Sequence, residues 1–117
     1  MMNILNQQKI NELAGEIGEE NVPVLLEIFL GELNTYIESL TSGGLGDVPK
    51  YLAEISHALK SSAASFGADK LCRFANDIDT RVKHSEVIDE TQDTELILGL
   101  LKATESEYHS LLNQLKV

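Results

Sequence analysis

Apolar residues recur at three- and four-residue spacing along almost all of the chain, and no stretch alternates with a period of two. The pattern predicts helices and no strands. Ile10, Leu13 and Ile17 form a short first stripe that Gly18 ends. Asn21 is placed as the N-cap of a second helix, with Pro23 in the first turn, where its missing N–H costs nothing. Leu25, Ile28, Phe29, Tyr36, Ile37 and Leu40 continue that stripe until the run TSGGLG breaks it. Asp47 and Pro49 repeat the same opening for a third helix, which runs to about Phe66 and stops at Gly67. Asp69 is placed as the cap of a fourth helix carrying Leu71, Phe74, Ala75, Ile78 and Val82. After HSEVIDE a last helix uses Ile97, Leu100, Leu101, Tyr108, Leu111 and Leu115. The expected fold is all-α, an antiparallel four-helix bundle with a short additional N-terminal helix. Residues 1–117 are long enough for one core and one domain, without internal repeats or a long linker.

The third helix carries the candidate chemistry. Each residue rotates about 100° around a helix. With Ile55 at zero, Tyr51, Leu52, Ala58, Leu59, Ser62, Ala63 and Phe66 fall within about 80° of it and form the expected core face. His57 lies about 200° round, on the outer side. Its neighbours at helical spacing are Lys50, Ala53, Lys60, Ser61 and Ala64. A merely solvated face would carry Glu, Gln or Lys at most of these positions. Small residues instead leave room for another protein to approach the ring, and the two lysines supply positive charge beside it.

Charge sharpens this picture. The net charge of −10 argues against a nucleic-acid binder, which needs basic clusters to neutralise phosphates. Yet residues 50–83 hold six Lys and Arg against four acids, while residues 1–49 hold one Lys against eight acids. The histidine region is basic inside an acidic chain. The single cysteine, Cys72, allows no intrachain disulfide and suits a reducing compartment, where it reads as a small filler rather than a redox thiol. No apolar run spans a membrane, and the start MMNILNQQKI has no signal-peptide pattern, so a cytoplasmic location is expected.

An exposed imidazole, with a reference pKa near ~6.5, is largely neutral at cytoplasmic pH and offers a nucleophilic nitrogen. A phosphoryl group on it would bring negative charge that Lys60, one turn away, can pair with. No base, metal site or oxyanion hole is evident nearby in the sequence, so donor and acceptor would supply the catalytic machinery. His84 and His109 read as ordinary surface histidines.

The stretch HALKSSAASFGADKL resembles the signature of histidine-containing phosphotransfer (HPt) domains, roughly H-x-L-K-G-S/A-[small]-x-x-x-G-A-x-x-L. His57, Leu59, Lys60, Ser62, Gly67, Ala68 and Leu71 match in order and spacing. Ser61 departs from the usual glycine but is still small. LNQQKI and NVPVLLEIFLGE extend the likeness toward a bacterial quorum-sensing branch of that family. The resemblance implies a phosphoacceptor at His57 and a lysine near the phosphoryl group at Lys60. It implies docking over Lys50, Ala53, Ser61, Ala64 and Gly67. The implied partners are the receiver domain of a hybrid sensor histidine kinase and that of a response regulator. No cofactor or metal of its own is implied, Mg²⁺ belonging to the receivers. A monomeric phosphoryl carrier, not an enzyme, is expected, contacting neither membrane nor nucleic acid.

Three other readings compete. A histidine-kinase dimerisation domain normally has an acid directly after its histidine and a proline soon after; here Ala58 follows and no proline comes later. Glu54 and His57 form a Glu-x-x-His, but a di-iron bundle needs two of these plus two further Glu, all pointing inward. A helical adaptor that only binds partners shares the fold and the small-residue face, but gives no reason for His57 at its centre.

Overall fold

A computed structural model describes residues 2–116. Five α-helices follow one another: α1 (Gln7–Ile17), α2 (Val22–Ser42), α3 (Val48–Phe66), α4 (Asp69–Lys83) and α5 (Glu90–Leu115). A single 3-10 turn, Glu19–Asn21, joins α1 to α2. The four longer helices form the expected bundle, with α3 lying along α4 and α2 along α5, and α1 crossing one end. Among the described residues no strand occurs, and no helix is long and apolar enough to cross a membrane.

The helix starts follow local chemistry, with two corrections. Asp47 caps α3 by accepting from the Lys50 amide at 3.1 Å, and Asp89 caps α5 by accepting from that of Gln92 at 2.8 Å. Asn21 holds the N-cap position of α2, but its side chain makes no cap bond there; it donates instead to the Ile17 carbonyl at 2.6 Å, at the end of α1. Asp69 lies inside α4, after Ala68, and its carboxylate accepts from Asn6 Nδ2 at 3.0 Å. It still sits in the first turn, where negative charge complements the helix dipole.

The core centres on an aromatic cluster. Phe29 of α2 stacks on Phe66 at the end of α3, ring centres 4.5 Å apart, and meets the edge of Tyr108 from α5 at 5.2 Å. The buried Tyr108 hydroxyl donates to the Phe66 carbonyl at 2.6 Å. That bond satisfies one of the carbonyls an α-helix leaves open at its end. Leu26, Leu33, Leu52, Leu59, Leu71, Ile97 and Leu101 fill the space around the cluster. On α2 the buried face is Val22, Leu26, Phe29, Leu30 and Leu33, whereas Ile28 is 64% exposed. The stretch VPVLLEIFL is apolar on nearly every side, so spacing alone cannot select its inner face. Val82 and Leu115, expected in stripes, are also exposed.

The corner between α3 and α4 is a junction with the N-terminal segment. Gly67 ends α3 with φ +76°, a left-handed conformation that glycine adopts without steric cost. Its carbonyl accepts from the Asn6 amide at 2.8 Å, and the Lys70 amide donates to the Asn3 carbonyl at 3.1 Å. A Cβ added at Gly67 would lie 2.7 Å from Lys9 Cβ and 2.8 Å from the Asn6 carbonyl oxygen. Gly67→Ala should therefore combine backbone strain with a clash and destabilise the protein by about 1–3 kcal/mol. Urea unfolding measures the loss, and limited proteolysis should find the N-terminal segment released first.

Candidate functional site

His57 projects from the middle of α3 with 74% of its side chain exposed. The buried face of α3 is turned slightly from the expected one. Ser56 is fully buried while Ala58 is exposed, because α4 lies along the Ser56 side. This turn moves the imidazole toward α4 and gives it a partner that spacing on its own helix did not reveal.

That partner is Asp79. Its carboxylate is buried against α3, and Oδ1 lies 3.3 Å from His57 Nδ1. The other oxygen, Oδ2, accepts from Lys60 Nζ at 2.8 Å and meets Lys83 Nζ at the same 2.8 Å. Lys60 comes from α3 one turn after His57; Lys83 comes from the last turn of α4, four residues after Asp79. The hydrogen bond from Lys60, then that from Lys83, holds the Asp79 carboxyl well below the usual carboxylate range despite its burial. An ionised carboxylate only accepts, so the nitrogen facing it must be the one carrying hydrogen. Nδ1–H therefore points at Asp79, and in the neutral ring this leaves the Nε2 lone pair on the solvent side.

The remaining candidate residues divide. Ser61, Ala64 and Lys50 are exposed on the same side of α3, and Ala53 is partly buried beside them. Ala64 and Lys9 of α1 line a common shallow cleft, so α1 flanks this face. Gly67 does not belong to it. It is buried under Asn6 and Lys9 and serves the corner instead. Of the other cations in the basic segment, Arg81 forks onto Asp93 at 3.1 and 3.0 Å and ties α4 to α5. Lys70 lines a groove with Met2 and Arg73, and Arg73 also borders the cleft shared by Ala64 and Lys9. Cys72 is half-buried behind the site, and burial raises its thiol pKa, which disfavours the reactive thiolate.

Residues 24–115 match the family model described as Hpt domain. The chain belongs to the Hpt-domain family. It is also similar to curated relatives over nearly its whole length. It is 55% identical to the phosphorelay protein LuxU of Vibrio vulnificus (strain YJ016) over 93% of this chain and 95% of that protein. The identity is again 55% to LuxU of Vibrio cholerae, over 93% of this chain and 96% of the relative. To LuxU of Vibrio harveyi it is 53%, over 94% and 96%. No solved structure matches the chain. The Hpt match covers α2 to α5 and thus every residue of the Asp79 cluster; α1 lies before it.

Two depressed carboxyls make stability depend on acid. Asp79 is held low by Lys60, and Asp93 by the fork from Arg81. A carboxyl whose folded pKa is depressed contributes stability above its unfolded value near ~3.9 and loses it as pH falls toward the folded value. Urea midpoints should thus drop as the pH is lowered from about 5 to 3. Asp79→Asn should show a shallower drop than the unmodified chain, because one of the two linked groups is gone.

Proposed function

We propose that this protein is a phosphorelay carrier in which His57 takes a phosphoryl group from a receiver-domain aspartate and passes it to another. The observation that carries the proposal is an exposed imidazole whose Nδ1 faces an ionised carboxylate, leaving Nε2 free as the nucleophile. In the first step the Nε2 lone pair attacks phosphorus, an N–P bond forms, and the P–O bond to the donor aspartate breaks. The electron pair leaves with the donor carboxylate, which needs no proton. The ring keeps its Nδ1 hydrogen and becomes a cation, and Asp79 lies where that charge develops. The second step reverses this chemistry, with the acceptor carboxylate attacking phosphorus and Nε2 leaving. Lys60 would pair with the phosphoryl group in between.

The donor and acceptor read as the receiver domains of a hybrid sensor histidine kinase and a response regulator in a quorum-sensing phosphorelay. The family match and the LuxU relatives support this assignment. The exposed residues Lys50, Ser61 and Ala64, with the partly buried Ala53, form the docking face for both partners. The receivers supply the metal and the rest of the machinery, and this chain works as a monomeric single-domain carrier in the cytoplasm.

An adaptor that only binds partners makes the opposite forecast. With a phosphorylated receiver, His57→Gln should abolish acid-labile phosphate on this chain while receiver binding persists. Unimpaired phosphoryl flow through the variant would sink the carrier reading. Asp79→Asn should slow transfer by roughly 10- to 100-fold, the cost typical of removing the hydrogen-bond partner that orients a metal-ligating histidine. ¹⁵N spectra of the His57 ring should show the Nδ1–H form losing population in that variant.

A further inference from the structure

Lys83 is outside the family signature and outside the helix that bears His57, yet its ammonium shares one carboxylate oxygen with that of Lys60. We propose that Lys83 is a second phosphoryl-binding cation, parked on Asp79 in the unmodified protein and drawn with Lys60 onto phospho-His57. This rests on the carrier reading above and adds a residue to it.

The charge count of the cluster supports the assignment. Two ammonium groups face one carboxylate, so even with the ring in its neutral, nucleophilic form the site holds one positive charge too many. Both cations lie 2.8 Å from the same Oδ2, close enough to repel each other. A phosphoryl group adds about two negative charges, and the ring gains one positive charge on bonding to phosphorus. The site then becomes neutral. Each partner also finds a better match, with the imidazolium Nδ1–H facing Asp79 and both lysines facing the phosphoryl oxygens.

Reach follows from placement. Asp79 stands behind the ring at Nδ1, and the phosphoryl group would sit on Nε2 at its open side. Lys60 approaches from α3 and Lys83 from the end of α4, so the two stems flank the ring from neighbouring helices. The Lys83 side chain is 60% exposed against 31% for Lys60. Its flexible four-carbon stem is therefore the freer one to swing from carboxylate to phosphate. No other cation makes this contact. Arg81 is committed to Asp77 and Asp93, and neither Lys50, Lys70 nor Arg73 bonds to Asp79 among the described residues.

The test loads the full chain with phosphoramidate, a small donor that needs no receiver. Nε2 attacks its phosphorus, the P–N bond to ammonia breaks, and ammonia departs. The ³¹P resonance of phospho-His57 is then recorded, and the label is allowed to equilibrate with a receiver domain. Lys83→Ala should move the ³¹P resonance and shift the partition roughly 2- to 5-fold toward the receiver aspartate, as for a solvent-screened ion pair. The shift should shrink at high salt, and Lys83→Arg should restore both readouts. A Lys83→Ala protein with the unmodified chain's resonance and partition overturns the proposal, even if its melting temperature changes, since that marks a purely structural residue. Failure of the unmodified chain to take phosphate on His57 would instead overturn the carrier reading, and this inference with it.

Discussion

One carboxylate, that of Asp79, stands between α3 and α4 and sets the terms for everything around it. Burying a charge is costly unless it is paired and hydrogen-bonded, and Asp79 answers with two ammonium groups and a ring nitrogen. Those contacts require α3 and α4 to hold one register, since His57 and Lys60 come from the first and Asp79 and Lys83 from the second. The bundle supplies that register from both ends. The Gly67 corner joins the two helices directly, and the Arg81–Asp93 fork pins the far end of α4 to α5. Both lie outside the His57–Asp79 cluster, yet both decide where its carboxylate sits.

Much of this was legible in the residues, and the parts that were not share a cause. Helical spacing located the elements and put His57 outward, because a histidine flanked by Leu52, Ile55 and Leu59 on the other face has only one side to occupy. Asp79 stayed hidden because it lies 22 residues from His57 and reaches it only through the pairing of two helices. In its own stretch, NDIDTRVK, acids and bases read as a solvated surface, and nothing local marks which acid turns inward. The exposed Ile28 shows the same limit from the other direction. Where a helix is apolar all round, its inner face is chosen by its neighbours and not by its spacing. Asn21 and Asp69 bear typical capping side chains, but each met a stronger local claim, from the preceding turn and from Asn6.

The site also shows how little a carrier needs. Its imidazole faces a carboxylate at Nδ1, and most of the ring is open to solvent. His57 stands 74% exposed on an outward helix face beside Ser61 and Ala64, which suits visiting partners that bring their own enclosed chemistry. Serine in place of the usual glycine at residue 61 leaves this face open, since its side chain points to solvent.

The junction at Gly67 bears on how the chain assembles. Asn3 and Asn6 make long-range hydrogen bonds with Gly67, Asp69 and Lys70, more than sixty residues further along. During synthesis this segment must therefore wait until α3 and the start of α4 have emerged. Such distant pairings form late and open early, while the α3–α4 hairpin closes through nearer contacts. The N-terminal segment is thus the latch of the bundle rather than its seed, and it fastens at the corner that ends the His57 helix.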